Sequence, residues 1–271
     1  MKLSRRLLEK LRPRLDPRWL APLCSVLVTA KRRERCTVRY SAGEWVHRYR
    51  TGTVVQAHVG GASASLQDRN TWDTFLHAYR PEPGDTVVDL GAGVGGEVRL
   101  LSRLVGPSGR VISVEAHPRM FNCLRRTIEL NQLSNVTAVH RAMMGVRGIA
   151  FIEDRPEYGG NAITTSMENS LPVVCEPLGD LVDRLGIDRI NLLKMNIEGA
   201  ELAVLESARE LLPRVDNLVV SCHDFKADRG GADWQRTYSG VRALLADAGY
   251  TLLRRHDDRR PWIPYYVYAS R

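Results

Sequence analysis

The pattern of hydrophobic and polar positions changes near Pro81, and the two parts of the chain predict different structures. Residues 1–30 are typical of one or two short helices, with a break at Pro13 because proline lacks a backbone N–H. The period-two runs that follow predict strands at Cys36–Tyr40, Glu44–Tyr49 and Thr53–Val59. A helix is predicted over Leu66–Tyr79, where Trp72 and Phe75 share one face.

After Pro81, short apolar runs alternate with amphipathic segments of helical length, which is typical of βαβ units and a parallel sheet. The strands predicted for this sheet are Thr86–Leu90, Val111–Glu115, Val136–His140, Ile190–Met195 and Leu218–Cys222. The predicted helices are Gly95–Leu104, Arg119–Asn131, Gly199–Leu212 and Trp234–Ala248, and further strands are predicted at Ile149–Glu153, Tyr250–Arg255 and Pro264–Ala269. The expected fold is a doubly wound α/β domain over residues 66–271, preceded by an N-terminal extension over residues 1–65.

The sharpest local motif is the glycine-rich turn Asp85-Thr-Val-Val-Asp89-Leu-Gly91-Ala-Gly93-Val-Gly95-Gly96, between a predicted strand and a predicted helix. Glycine lets the backbone turn tightly and approach a ligand closely. The same pattern fits a dinucleotide-binding fingerprint, with Glu115 placed as a ribose-binding acid. A nicotinamide-dependent oxidoreductase is therefore one interpretation of this motif.

Asp89 favours a different cofactor, because a carboxylate beside the turn would repel the negatively charged pyrophosphate of a dinucleotide. S-adenosylmethionine carries no phosphate, and its sulfonium and ammonium groups are positive, so a carboxylate suits it. Glu115 can accept hydrogen bonds from both ribose hydroxyls. The expected cofactor-binding residues are Asp89, Gly91, Ala92, Gly93, Glu115, Ala116, Arg141, Ala142 and Asn196.

A second motif carries a family resemblance. The segment from Leu178-Gly-Asp180-Leu to Lys194-Met-Asn196-Ile-Glu198-Gly-Ala-Glu201 resembles the signature of FkbM-type methyltransferases, and the likeness extends over roughly 81–225. That family typically shows Leu-Asp-Asp-Leu at a helix start and then Lys-Ile-Asp-Val-Glu-Gly-Ala-Glu. Gly179 and Asn196 depart from it, and each replaces an aspartate. Asn196 can form hydrogen bonds but supplies no negative charge.

The resemblance implies a class I methyltransferase, with a Rossmann-like sheet of seven strands of which the last is antiparallel. It implies S-adenosylmethionine as the methyl donor and a hydroxyl oxygen as the acceptor. Sugar-containing natural products and polysaccharides are frequent acceptors in such enzymes. A homodimer with N-terminal elements over the site is common among related sugar O-methyltransferases.

Polar residues converge where two neighbouring strands end, because ligands of a doubly wound sheet bind beyond its carboxyl edge. The fourth strand leads to Asn196 and Glu198, and the fifth leads to His223 and Asp224. Either Glu198 or His223 could remove the acceptor proton as a general base. Alternatively, all four residues could hold Mg²⁺, which would bind the acceptor oxygen as in catechol-type methyltransferases. The polar loop Tyr158–Leu171 is a candidate for substrate contact.

The 271-residue chain has a net charge of +8, and a positively charged protein is a candidate for binding nucleic acid. The cations are concentrated at Lys2–Arg18 and Lys31–Arg39, away from the expected site. Asn196 is followed by Ile-Glu-Gly, whereas methyltransferases acting on base amino groups usually have Pro-Pro and an aromatic residue there. We therefore expect no nucleic-acid partner, and keep a base methyltransferase and a non-catalytic binding protein as alternatives.

The five cysteines form no C-x-x-C pair and leave one over, which favours reduced thiols in a cytoplasm. Composition is ordinary for a globular chain, with 44% hydrophobic and 26% charged residues. No run approaches the roughly 20 apolar residues that span a bilayer, so no transmembrane segment is expected.

Overall fold

The computed structural model describes residues 16–155 and 160–271. The predicted break at Pro13 and the residue Tyr158 lie outside these ranges. The described chain begins with helix α1 (Pro17–Arg32), whose first turn is capped by the Asp16 carboxylate, which accepts a hydrogen bond from the Arg18 N–H at 2.8 Å. An antiparallel sheet follows in the order β1-β2-β3, and its strands are β1 (Cys36–Ser41), β2 (Glu44–Tyr49) and β3 (Gly52–Gln56).

The rest of the chain alternates strands and helices as predicted. The helices are α2 (Ala64–Thr74), α3 (Val98–Val105), α4 (Pro118–Leu130), α5 (Leu178–Arg184), α6 (Glu201–Ser207), α7 (Asp224–Ala227) and α8 (Tyr238–Asp247). The strands are β4 (Thr86–Leu90), β5 (Arg110–Glu115), β6 (Val136–His140), β7 (Ala142–Met143), β8 (Gly148–Glu153), β9 (Ile163–Thr164), β10 (Ser170–Glu176), β11 (Ile190–Met195), β12 (Val215–Ser221), β13 (Thr251–Leu253) and β14 (Tyr266–Ser270).

Seven of these strands form the central sheet, in the order β13-β14-β12-β11-β4-β5-β6. The neighbours from β12 to β6 pair in parallel, while β14 runs antiparallel to both β12 and β13. The strand order reverses beside β4, which places a ligand crevice beyond the carboxyl ends of β4 and β11. This confirms the predicted doubly wound, mostly parallel sheet with an antiparallel last strand.

Both faces of the central sheet are buried, which explains why its strands are almost continuously apolar. Val88 and Leu193 face a core that includes helices α5, α6 and α8. Val87 and Leu192 face the opposite core, formed with α3 and the segment around Leu76. Asp89 in β4 and Lys194 in β11 are the only charged side chains of these two strands, and both lie close to the carboxyl edge.

A second sheet, in the order β7-β10-β8-β9, is inserted between β6 and β11. Strand β8 confirms the predicted strand at Ile149–Glu153, whereas the other three strands were not predicted. Two of them have only two residues, and β10 contains Pro172, a residue that usually argues against a strand. Ile152, Val173 and Cys175 form the small core of this sheet.

Several predicted helices are shorter in the structure. Helix α3 starts at Val98 instead of Gly95, because the glycine turn continues with positive φ at Gly93 and Gly95. The segment predicted as Gly199–Leu212 is divided into α6 and a 3₁₀ helix, Arg209–Arg214, and Trp234–Ala248 into a 3₁₀ helix, Asp233–Gln235, and α8. Helix α2 is capped by Ser63 and ends at Thr74, five residues before its predicted end.

The N-terminal sheet is joined to the α/β domain by hydrogen bonds between β3 and α4. The backbone N–H of Thr53 donates to Asn131 Oδ1 at 2.8 Å, and that of Val55 donates to Thr127 Oγ1 at 3.1 Å. A domain boundary after residue 65 falls within α2, and this division stays a prediction. In the described ranges, no helix is long and apolar enough to cross a membrane. All five cysteines are buried and unbridged.

Candidate active site

The glycine-rich turn after β4 brings two strand ends into close contact. Gly91 and Gly93 have φ angles of 77° and 56°, in the left-handed region that favours glycine. A Cβ at Gly91 would lie 2.0 Å from the carbonyl oxygen of Asn196, so this position excludes a side chain. The backbone of the turn therefore packs directly against the backbone at the end of β11, and the two form one continuous surface.

Glu115 at the end of β5 holds the glycine-rich turn from the side opposite β11. Its carboxylate accepts hydrogen bonds from the N–H groups of Gly93 and His117, both at 2.8 Å. Burial raises the pKa of Glu115 above its usual value, against the effect of these hydrogen bonds. Glu115 is 8% exposed, and that small exposed part lines a cleft, where both oxygens keep accepting capacity for hydroxyl donors.

The cleft opens at the carboxyl edge of the central sheet and encloses about 800 Å³, counting its open mouth. Seven of the nine expected cofactor-binding residues line it, which are Gly91, Gly93, Glu115, Ala116, Arg141, Ala142 and Asn196. The second sheet supplies the facing wall through Ile152, Asn161 and Ile163. Glu198 also lines the cleft, next to Asn196.

Asp89 is placed differently from the sequence-based expectation. It is fully buried and does not line the cleft, and Lys194 Nζ lies 2.8 Å from its Oδ1. Lys194 also donates a hydrogen bond to the carbonyl oxygen of Gly91, at 2.9 Å. A buried lysine therefore balances the negative charge of Asp89. Direct contact between Asp89 and a cofactor stays a prediction. Ala92 is likewise buried beneath the turn.

The end of the cleft beyond β5 and β6 has apolar and polar walls. Met120 and Ala142 line it together with Arg141. His140 lies behind this wall, where its Nε2 is 3.0 Å from the carbonyl oxygen of Ala116 and its ring stacks on Phe121. An aromatic heterocycle such as adenine fits such a wall, because it combines apolar faces with hydrogen-bonding edges.

The loop after β11 is held by a buried carboxylate that sequence reasoning did not assign to the site. Glu201 Oε1 accepts hydrogen bonds from the N–H groups of Ile197 and Gly199, both at 3.2 Å, and lies 2.9 Å from His223 Nδ1. Glu201 is completely buried. Its position as the last acid of the Glu-Gly-Ala-Glu run was the available signal, because an acid in a helical first turn can bind the free N–H groups before it.

Glu198 lies in the loop that Glu201 holds, and its backbone conformation is unusual. Its φ is 61°, in the left-handed region that is costly for a residue with a side chain. Its Oε2 contacts the Lys226 ammonium and lies 3.4 Å from His223 Nε2. Both contacts use the same oxygen, so Oε1 has no hydrogen-bond partner among the residues that the structure describes. Strained, charged residues of this kind are concentrated at functional sites.

The carboxylates and cations of this cluster set one another's protonation states. Burial alone would raise the pKa of Glu198, but hydrogen bonds and charge from His223 and Lys226 outweigh it and lower that pKa below its usual value. Burial alone would lower the pKa of His223, but Glu198 and Glu201 outweigh it and raise the pKa of His223 to about 9. At neutral pH the cluster therefore contains an ionised Glu198 and an imidazolium at His223.

The four residues considered for Mg²⁺ do not form a metal site. Asp224 turns away and accepts hydrogen bonds from the N–H groups of Thr237 and Tyr238, both at 3.0 Å, at the start of α8. His223 has a carboxylate at each ring nitrogen, and its raised pKa favours a proton where a metal ligand needs a lone pair. The Lys226 ammonium occupies the position beside Glu198. Residues 16–155 and 160–271 contain no group of three or more His, Cys, Asp or Glu side chains that could hold a metal ion. The donor set does not fit the ion, so the Mg²⁺ hypothesis is not supported.

The fold and the cleft define the class of protein: an S-adenosylmethionine-dependent methyltransferase of class I. A crystal structure of methyltransferase FkbM from Methylobacillus flagellatus KT resembles this chain with a TM-score of 0.50 at 19% sequence identity, over 76% of this chain and 50% of that one. This chain thus spans half the length of that protein, and at this identity the likeness concerns the fold.

The family follows from the sequence comparison. The FkbM methyltransferase domain matches residues 89–252, more than half of the chain. "Methyltransferase 1" of Beauveria bassiana is 26% identical over 209 residues, covering 68% of this chain and 78% of that protein. "Methyltransferase sdnD" of Sordaria araneosa is 26% identical over 216 residues, covering 66% and 77%. The chain belongs to the FkbM family of S-adenosylmethionine-dependent methyltransferases.

Proposed function

We propose that this protein transfers a methyl group from S-adenosylmethionine to a hydroxyl oxygen of a sugar or a saccharide-containing metabolite, with Glu198 as the general base. One observation carries the proposal. An ionised carboxylate lies in the wall of the cleft, next to the glycine turn, and one of its oxygens accepts no hydrogen bond from any described residue. A hydroxyl acceptor needs such a group, because it is a poor nucleophile until its proton is removed or loosened.

The cofactor would be held by the part of the cleft that the glycine turn forms. The fit is supported by the open space at Gly93, where a Cβ would meet no atom of the described residues within 4 Å, and by the nearly buried carboxylate of Glu115, which can accept hydrogen bonds from the ribose hydroxyls. Arg141 and Ala142 would border the adenine, and Asn196 the methionine portion. When bound, this cofactor supplies a methyl group on a positively charged sulfur, which needs no further activation.

Glu198 would accept a hydrogen bond from the acceptor hydroxyl and take its proton as the new carbon–oxygen bond forms. The methyl–sulfur bond breaks in the same step, so the products are a methyl ether, S-adenosylhomocysteine and one proton, which Glu198 releases to solvent. Orientation matters as much as basicity, because the acceptor oxygen must approach in line with the breaking bond. The hydrogen bonds that Glu201 accepts from Ile197 and Gly199 hold the loop that carries Glu198.

His223 is the less suitable of the two predicted bases. Its pKa of about 9 keeps it protonated at neutral pH, and it does not line the cleft. Its role would be to position Glu198 and keep that carboxylate ionised, together with Lys226. Asn161 and Asn196 add hydrogen-bonding groups to the cleft, as recognition of a polyhydroxylated acceptor requires.

Glu198→Gln tests the assignment, and Glu206→Gln on the exposed side of α6 is the matched control. With a radiolabelled methyl donor and a panel of mono- and oligosaccharides, we expect kcat of Glu198→Gln to fall by about 10²–10⁴-fold. The affinity for S-adenosylhomocysteine should change little, because glutamine keeps the shape of the side chain. Full turnover by Glu198→Gln would remove Glu198 from the mechanism.

A further inference from the structure

The outward face of helix α1 is apolar between Trp19 and Val26. Trp19, Leu23 and Val26 are spaced four and three residues apart, so they form one stripe on the helix. Their exposed fractions are 80%, 41% and 66%. The opposite side of α1 is buried against the N-terminal sheet through Leu20 and Cys24, so the exposed stripe is not needed for the core.

Positive charge surrounds the two ends of this stripe. Arg18 lies at the start of α1, and Lys31, Arg33 and Arg35 lie at and just after its end, all exposed. None of these four cations is paired with a carboxylate in the described part of the chain. A helix with an aromatic and aliphatic face, bordered by arginine and lysine, has the pattern of one that lies in the interface of a lipid bilayer.

We propose that α1 docks this protein onto an anionic membrane surface, with the Trp19–Leu23–Val26 stripe in the headgroup region and the four flanking cations on acidic lipid headgroups. Charge favours this occupant over a second copy of the chain. In a two-fold symmetric pairing the same surface meets itself, so the cations at the helix ends would face each other. Acidic lipids instead neutralise them, and each cation near such a surface strengthens binding.

The test is sedimentation of the full chain with vesicles of phosphatidylcholine alone and with vesicles containing phosphatidylserine. Wild type should bind the anionic vesicles at least about tenfold better than the neutral ones, and less at high salt. The combined variant Trp19→Ser, Leu23→Ser and Val26→Ser should lose about tenfold or more of this binding, because the apolar stripe is removed. The combined variant Lys31→Glu, Arg33→Glu and Arg35→Glu should lose the preference for phosphatidylserine.

A matched control places serine at Val146, just before β8, and at Ile149 in β8, which are 65% and 69% exposed, and it should bind like wild type. Thermal melts by circular dichroism verify folding without reference to methyl transfer. Wild type that stays off both kinds of vesicle overturns the proposal, as does unchanged binding by the serine variant of the stripe. A wild-type dimer that this variant converts to a monomer, without vesicle binding, would make the stripe an interface between copies.

Discussion

At the scale of single residues, the site consists of charged groups whose meaning depends on their partners. Asp89 and Lys194 were both visible in the sequence, but only the structure shows that they neutralise each other. They come from β4 and β11, which are adjacent in the sheet although about 100 residues separate them in the chain. Local patterns could therefore predict that Asp89 ends a strand beside the glycine turn, and could not predict what it faces.

The same limit applies to Glu198 and His223. The ends of the fourth and fifth predicted strands gave both as candidate bases, and the choice between them depends on their contacts with Glu201 and Lys226. Lys226 carried no sequence signal, because a lone lysine in a short helix is usually solvated. Protonation states in such a cluster follow from three-dimensional contacts and not from spacing along the chain.

The raised pKa of His223 predicts how stability depends on pH. The folded-state pKa of about 9 lies above the ordinary value of 6.5, so the folded state binds the proton more tightly than the unfolded state. The resulting stabilisation is complete below about pH 6.5 and is lost as pH rises through about 9. It amounts to about 3 kcal/mol for a shift of this size.

Urea denaturation at pH 6 and pH 10 measures this effect. Wild type should lose about 3 kcal/mol more of its free energy of unfolding over that interval than His223→Gln, which cannot titrate. His256→Gln, at an exposed histidine, should retain the wild-type pH dependence. Equal pH dependence in wild type and His223→Gln would contradict the ion cluster as described.

At the scale of elements, backbone conformation separates the glycines that the site requires from those that it does not. Gly91 combines a positive φ with a backbone oxygen 2.0 Å from a would-be Cβ. Gly179, on helix α5, has open space around it and an ordinary φ. It is also one of the two positions where an aspartate of the family signature is replaced.

Opposite outcomes are therefore expected for alanine at these two positions. Gly91→Ala should displace the end of β11 and weaken S-adenosylhomocysteine binding by at least about tenfold, with destabilisation of a few kcal/mol. Gly179→Ala should leave binding unchanged and raise stability by about 0.5–1 kcal/mol, because alanine is the better helix former. Calorimetry of ligand binding and thermal melts measure both. Normal binding by Gly91→Ala would contradict the close contact of the two strand ends.

Elements with a clear pattern of apolar residues were predictable, and elements of only two or three residues were not. Each core strand of the parallel sheet was predicted to within a few residues, because burial on both faces leaves a continuous apolar run. The second sheet was mostly missed, since β7 and β9 are two residues long and have no period of their own. Nevertheless, this sheet supplies one wall of the cleft through Ile152 and Ile163.

At the scale of the whole molecule, the alternation of strands and helices predicted a doubly wound α/β domain, and the family resemblance added the seven strands and the antiparallel last strand. Right-handed crossovers between parallel strands leave few ways to order such a sheet, and the order found places β4 and β11 side by side. The N-terminal sheet was predicted as three strands, but its position against α4 depends on Thr53 and Val55, whose N–H groups meet side chains more than 70 residues away. The homodimer stays a prediction.

Transfer of a methyl group to a hydroxyl oxygen, as we propose for the cleft, is recognised by the atom that carries the methyl group in the product. Full-length protein would be incubated with S-adenosylmethionine carrying a ¹³C-methyl group and with a saccharide panel, and the products examined by NMR. We expect a labelled methyl ether on a sugar oxygen, and its loss in Glu198→Gln. A label found on nitrogen or carbon, or a chain that binds the cofactor and methylates no acceptor hydroxyl, would contradict it.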